Sequence, residues 1–213
     1  MMDMGMTDHL VSLDHISLIA LAFVVVVGLP HGAFDGAIAQ HLGYSRTWRA
    51  MCRFIVVYLS LAGAVVAFWI WQPGLALALF LLISAVHFGY GDATANGGFA
   101  RSMQIAAHGG IAVFGISLFH LQQVTPLYAA LTHGDVMLAV MLTEFFPLFI
   151  MPVAVLYLIA AVRDAALRPR LVELALLCLL FSVVPPLVGF ALYFCVIHTG
   201  RHLLHIWDRV RSH

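Results

Sequence analysis

The chain contains no lysine; all ten of its basic residues are arginine. Schiff-base chemistry on a lysine side chain is therefore excluded. Charge of either sign is scarce. Charged residues make up 9% of the 213, against about 25% in soluble domains. The formal net charge is zero, so there is no basic footprint for nucleic acid. The three cysteines, Cys52, Cys178 and Cys195, lie in or beside apolar runs. Without CxxC spacing they make neither a zinc knuckle nor a disulfide framework, and they read as small buried hydrophobes. HExxH is absent, which removes a zinc intramembrane protease. Asp3, Asp8 and Asp14 precede the first apolar run and no basic residue does. That is unlike a signal peptide, so the run is expected to be retained as a helix.

What is present is hydrophobic: 63% of residues, with a mean hydropathy of +1.01. No polar linker divides the chain, so residues 1–213 read as a single all-α domain, a polytopic transmembrane helix bundle. About seven helices are expected. The first runs from Asp14 to Pro30, with continuation toward Leu42. The others are Arg53 to Trp71, Leu75 to Tyr90, Met103 to Leu121, Val136 to Val162, Leu171 to Val184 and Leu187 to Trp207. Each is near the ~20 residues that cross a ~30 Å hydrocarbon core. In this arrangement every arginine falls on one side. The connections at Gln72-Pro73-Gly74 and from Gln122 to Asp135 have none. The positive-inside rule makes the arginine side cytoplasmic, with the N-terminus outside and the C-terminus cytoplasmic.

His198 and His202, four residues apart, share one face of the last helix, and two imidazoles so placed can bind one metal ion. Polar side chains inside a membrane segment are costly and read as functional. His31 in the first helix and His87 in the third run in the same direction as this pair. At 1.5 Å per residue all four come to roughly 17–25 Å from the outer face. One metal site built from three helices is the reading. By ligand type alone it suits Fe(II), Zn(II), Cu or Ni. Asp35 and Asp92, four and five residues after His31 and His87, can orient an imidazole through its far nitrogen. Thr199 and Arg201, inside the last motif, and His108 on the fourth helix are further residues expected around the ligands. The remaining histidines lie toward helix ends and read as interfacial. Gly28, Gly32 and Gly36 form a small-residue stripe that lets helices approach closely. Phe34, Phe88, Tyr90, Tyr193 and Phe194 flank the histidines and are candidates to wall an apolar tunnel.

Three motifs in order are Pro30-His31-Gly32-Ala33-Phe34-Asp35, His87-Phe88-Gly89-Tyr90-Gly91-Asp92 and His198-Thr199-Gly200-Arg201-His202. Together they resemble the Brp/Blh family of bacterial and archaeal β-carotene 15,15′-dioxygenases. The resemblance implies a multi-pass protein of the cell (inner) membrane with non-haem Fe(2+) on His31, His87, His198 and His202. It implies O2-dependent cleavage of β-carotene, or a related carotenoid, at the central double bond to give two retinals. The lipid bilayer is the implied surrounding, and the retinal product implies a functional link to a retinal-binding rhodopsin. The chain itself is no such rhodopsin, because it has no lysine for the Schiff base. A haem protein with histidine axial ligands and a metal-ion transporter are the alternatives. A transporter predicts polar residues stacked at several depths, whereas these histidines concentrate at one.

Overall fold

The computed structural model describes residues 13–28, 47–95 and 97–201. Among them every regular element is helical. Helix α1 (His15–Phe23) starts at Asp14, whose carboxylate accepts a hydrogen bond from the Ser17 amide at 2.8 Å. That bond satisfies one of the open amides of the first turn, and hydrogen bonding from the Ser17 side chain and then its amide holds the Asp14 carboxyl below its usual range. The helix runs on as a π turn over Val24–Gly28. Helix α2 (Trp48–Trp71) begins the same way, with Thr47 Oγ1 accepting from the Ala50 amide at 3.2 Å. A single residue, Gln72, separates it from α3 (Pro73–Asp92). Proline suits the first helical position, because its missing N–H is one that the helix would leave open anyway.

After α3 the chain turns at Gly97 and Gly98, whose φ angles of 131° and 64° lie where glycine is favoured. Helix α4 (Gly98–Gly110) continues through a π turn at Ile111–Gly115 and a last α turn at Ile116–Phe119. Then come α5 (Leu121–Thr132) and α6 (Met137–Arg163). A 3₁₀ turn at Ala165–Leu167 leads into α7 (Arg168–Val183). Finally, α8 (Pro186–Ala191) passes into a π stretch over Leu192–His198.

Four of these helices are long and apolar enough to cross a membrane: Trp48–Trp71, Pro73–Asp92, Gly98–Phe119 and Met137–Arg163. The all-α, many-pass expectation agrees with this. One element differs. Helix α5 occupies a segment expected to be a loop. Its Gln122-Gln123 pair and Pro126 hide the period, yet Val124, Tyr128 and Thr132 recur every four residues and are buried. At 1.5 Å per residue its 12 residues reach about 18 Å, too short to cross a ~30 Å core. The expected continuation of the first helix toward Leu42 lies outside the described residues, as do Gly32 and Gly36 of the small-residue stripe.

Helix α2 buries none of its residues. Its indole Trp69 Nε1 donates to the Leu131 carbonyl at 2.9 Å, and the Trp69 ring meets Phe80 edge-on. The core forms instead between α3, α4 with its continuation, α5, α6, α7 and the π stretch after α8. Leu77, Phe88, Ala107, Tyr157, Phe181 and Tyr193 meet there. The antiparallel pair α3/α4 packs backbone to backbone. A Cβ on Gly109 would land on the Ala85 carbonyl, and one on Gly89 would land on the Ile105 carbonyl. Neither obstacle is a movable side-chain tip. Gly109→Ala is therefore expected to destabilise by about 1–3 kcal/mol or more through overpacking. Gly63→Ala, with nothing within 4 Å, should be neutral or slightly stabilising. Thermal melts of both variants in micelles, followed by circular dichroism, check this. Equal midpoints would refute the close approach.

Candidate active site

The last two turns of α3 carry His87, Phe88, Gly91 and Asp92. The π stretch after α8 carries Tyr193, Phe194 and His198, with Thr199 and Arg201 following. In an α-helix, residues five apart point about 140° away from each other. In a π turn the repeat is i→i+5, so they line up. Tyr193 and His198 are five apart, and both face Asp92. The same register lets Thr199 Oγ1 donate to the Phe194 carbonyl at 2.8 Å.

Asp92 is 1% exposed, so its charge needs partners. Tyr193 OH donates to Oδ2 at 2.7 Å. Arg201 Nη1 stands 2.8 Å from Oδ1 as an ion pair off the linear hydrogen-bond direction. The other terminal nitrogen of Arg201 pairs with Glu173, which also accepts from Arg170 at 2.6 Å. A chain of alternating charge thus joins the end of α3, the start of α7 and Arg201, which follows the π stretch. His198 Nδ1 lies 3.9 Å from Asp92 Oδ1. A carboxylate on that side favours the proton on Nδ1, the tautomer that makes Nε2 the metal-binding nitrogen.

The His87 and His198 rings stand 5.6 Å apart, centroid to centroid. Phe88 meets His198 edge-on at 4.7 Å, and Phe194 stacks on it at 6.2 Å. Gly91 leaves the room His198 occupies, since a Cβ there would come within 2.9 Å of Cε1. Two imidazoles from different helices, one braced by a buried carboxylate, fit as part of a metal's ligand set. Among the described residues no group of three or more His, Cys, Asp or Glu converges on one point. His31 and His202 lie outside the described residues, as do Asp35 and Phe34.

The other expected site residues fall in distinct places. Tyr90 is exposed, and Tyr193 is fully buried with its hydroxyl committed to Asp92. His108 is fully buried on α4 with its ring against Tyr157 at 6.2 Å, and neither ring nitrogen has a hydrogen-bond partner among the described residues. One turn earlier Gln104 Oε1 accepts from the Thr94 and Ala95 amides, both at 2.9 Å. Its amide donates to Tyr157 OH at 3.1 Å, which ties down the chain after α3. Sequence reasoning missed Glu173, Arg170 and this Gln104–Tyr157 pair. Glu173 carried a signal, being the one acidic residue between Asp164 and Asp208. An isolated acid in an apolar run asks for a partner.

Apolar helices long enough to cross a bilayer, with a buried His198 and a buried, paired Asp92 between them and an exposed His87 alongside, are consistent with an all-helical membrane protein. The family model described as "Beta-carotene 15,15'-dioxygenase" matches residues 22–212, and the chain belongs to that family. It is 36% identical over 194 residues to "Beta-carotene 15,15'-dioxygenase" of an uncultured marine bacterium, 66A03, covering 90% of this chain and 70% of that protein. It is 29% identical over 206 residues to "Probable beta-carotene 15,15'-dioxygenase Blh" of Halobacterium salinarum, covering 86% of this chain and 59% of that protein. No solved structure matches.

Proposed function

We propose that the chain is a membrane-embedded, iron-dependent dioxygenase that cleaves β-carotene at its central double bond with O2 to give two retinals. The observation that carries this reading is the His87–His198 pair, 5.6 Å apart and backed by the Asp92 network, in a member of this family. His31 and His202 complete the ligand set. When bound, ferrous iron supplies the centre that activates oxygen. The protein's own side chains do the rest. His87 and His198 fix the position of the centre on two helices. Asp92 sets the His198 tautomer, and Arg201 keeps the Asp92 charge compensated. Phe88 and Phe194 cover the imidazole with apolar surface, which excludes water and offers flat faces to a polyene.

The substrate is an apolar molecule dissolved in the bilayer, so it reaches a bundle in the cell's inner membrane from the side. The arginine side of that bundle faces the cytoplasm, and a retinal-binding rhodopsin is a natural consumer of the product. The test is expression in β-carotene-accumulating cells with and without oxygen, followed by chromatography of the extract. Orange colour should fade and retinal appear in air alone. Persistent carotene beside iron-loaded protein would reject the substrate, aldehydes of unequal length would move the cleavage position, and a Soret band in the purified protein would replace iron by haem.

A further inference from the structure

A second feature touches the histidine pair from the side. A cavity of about 170 Å³ lies between α3, α4, α5 and α8. Its wall includes Phe80, Leu81, Phe88, Val113, Leu187 and Phe190. Phe88 is shared: the ring that closes one end of the cavity is the ring that packs on His198 at 4.7 Å. Three residues on the wall carry hydroxyls: Ser84, and Ser117 and Tyr128, which are bonded to each other at 2.6 Å. The latter two are thus already partnered, and the lining is otherwise almost wholly apolar. Dry apolar cavities of about 150 Å³ take up a single six-membered ring such as benzene. This one has that size and that lining.

Its distance from the histidines is also informative. From Phe88 back to Phe80 along α3 is about 12 Å at 1.5 Å per residue. A carotene is about as long as the ~30 Å hydrocarbon core. With its centre at the histidine pair, each arm extends roughly half that length, and the terminal ring arrives near the Phe80 end. A path leads there. Phe190, Phe194 and His198 recur every four residues along the last helix. Phe190 stacks on Phe194 at 5.4 Å and 5°, and Phe194 on His198 at 6.2 Å and 13°. Their nearly parallel faces form a strip from the cavity to the imidazole. A larger cavity of about 730 Å³ lies elsewhere, along the Leu82, Val86 and Tyr90 stripe of α3, and shares none of its lining with Phe88 or the histidines.

We propose that the cavity closed by Phe88 and Phe190 is a specificity site for the terminal six-membered ring of the carotenoid, holding one end so that the central bond meets the histidines. This rests on the carotenoid reading above. The experiment reads the cavity separately from cleavage. Trp69 meets Phe80 edge-on at 6.2 Å, so its fluorescence reports on that end of the cavity. The probe is β-ionone, the ring fragment alone, added to protein in nanodiscs whose only tryptophan is Trp69. Saturable quenching is expected. Filling the cavity with Leu187→Phe or Val113→Phe should weaken it about tenfold or more, because ring burial is lost. In the wild-type background the same substitutions should lower kcat/KM for β-carotene by a similar factor, with iron content nearly unchanged. No saturable quenching, or equal quenching and equal kcat/KM in both filled variants with iron retained, would overturn the proposal. Ring binding without any carotene cleavage would support the ring site and overturn the carotenoid function.

Discussion

His198→Ala should lose iron and carotene cleavage together while keeping its helical circular dichroism. His87→Ala should do the same. The reasoning is geometric. The two rings come from α3 and from the last helix and stand 5.6 Å apart, so each supplies one coordination bond from a separate element. Loss of an outer hydrogen-bond partner of a metal typically costs 10–100-fold in affinity, and loss of a ligand costs more. The fold should survive, because Phe88, Phe194 and Tyr193 keep packing around the smaller side chain. The measurement is iron per chain after affinity purification, with retinal formed per iron as the second readout. Full iron retention in both variants would place the metal elsewhere. Iron retained in one alone would show that the remaining ligands compensate at that corner.

Asp92→Ala should be the most damaging single change to stability. It leaves the Tyr193 hydroxyl and one side of the Arg201 guanidinium without their partner inside the bundle. Removing one member of a buried ion pair costs about 3–5 kcal/mol. Glu173 still pairs with Arg201, so the lower end of that range is expected. Asp92→Asn should cost less, because an amide oxygen still accepts from Tyr193. Both should lower iron affinity by about 10–100-fold, since the group behind His198 Nδ1 is lost or neutralised. Unfolding in mixed micelles and a competitive chelator titration read the two effects separately. Wild-type stability in Asp92→Ala would show that the network is ornamental.

Apart from α5, whose segment read as a loop, the helices were legible because apolar runs of bilayer length leave little alternative. The break at Gln72 and the turn at Gly97 follow from local chemistry, whereas the helices begin at Trp48, Pro73 and Gly98, earlier than the expected Arg53, Leu75 and Met103. Asp92 and Arg201 were legible as polar residues beside histidine motifs. Three things were not. Tyr193 read as a wall of the tunnel because it flanks His198; an α-helical wheel would turn the two apart, and the π register brings them onto one carboxylate. Glu173 belongs to no motif near a histidine, and its role depends on α7 lying beside the last helix. The close approach of α3 and α4 at Gly89 and Gly109 was invisible as a stripe, because its two halves lie on different helices.

The charged chain from Arg170 to Asp92 bears on the order in which the protein is made. Synthesis proceeds from the N-terminus. Asp92 is therefore in place long before Arg201 emerges, and Glu173 arrives between them. Until the last helix docks, Glu173 has Arg170 as its partner and Asp92 lacks both Tyr193 and Arg201. Such acids are poorly tolerated in hydrocarbon. Arg201 satisfies both in one step, and the docking that delivers it also carries His198 to His87. Charge compensation and assembly of the histidine pair are thus the same event, and a chain in which the last helix fails to seat leaves unmatched acid that membrane quality control can recognise.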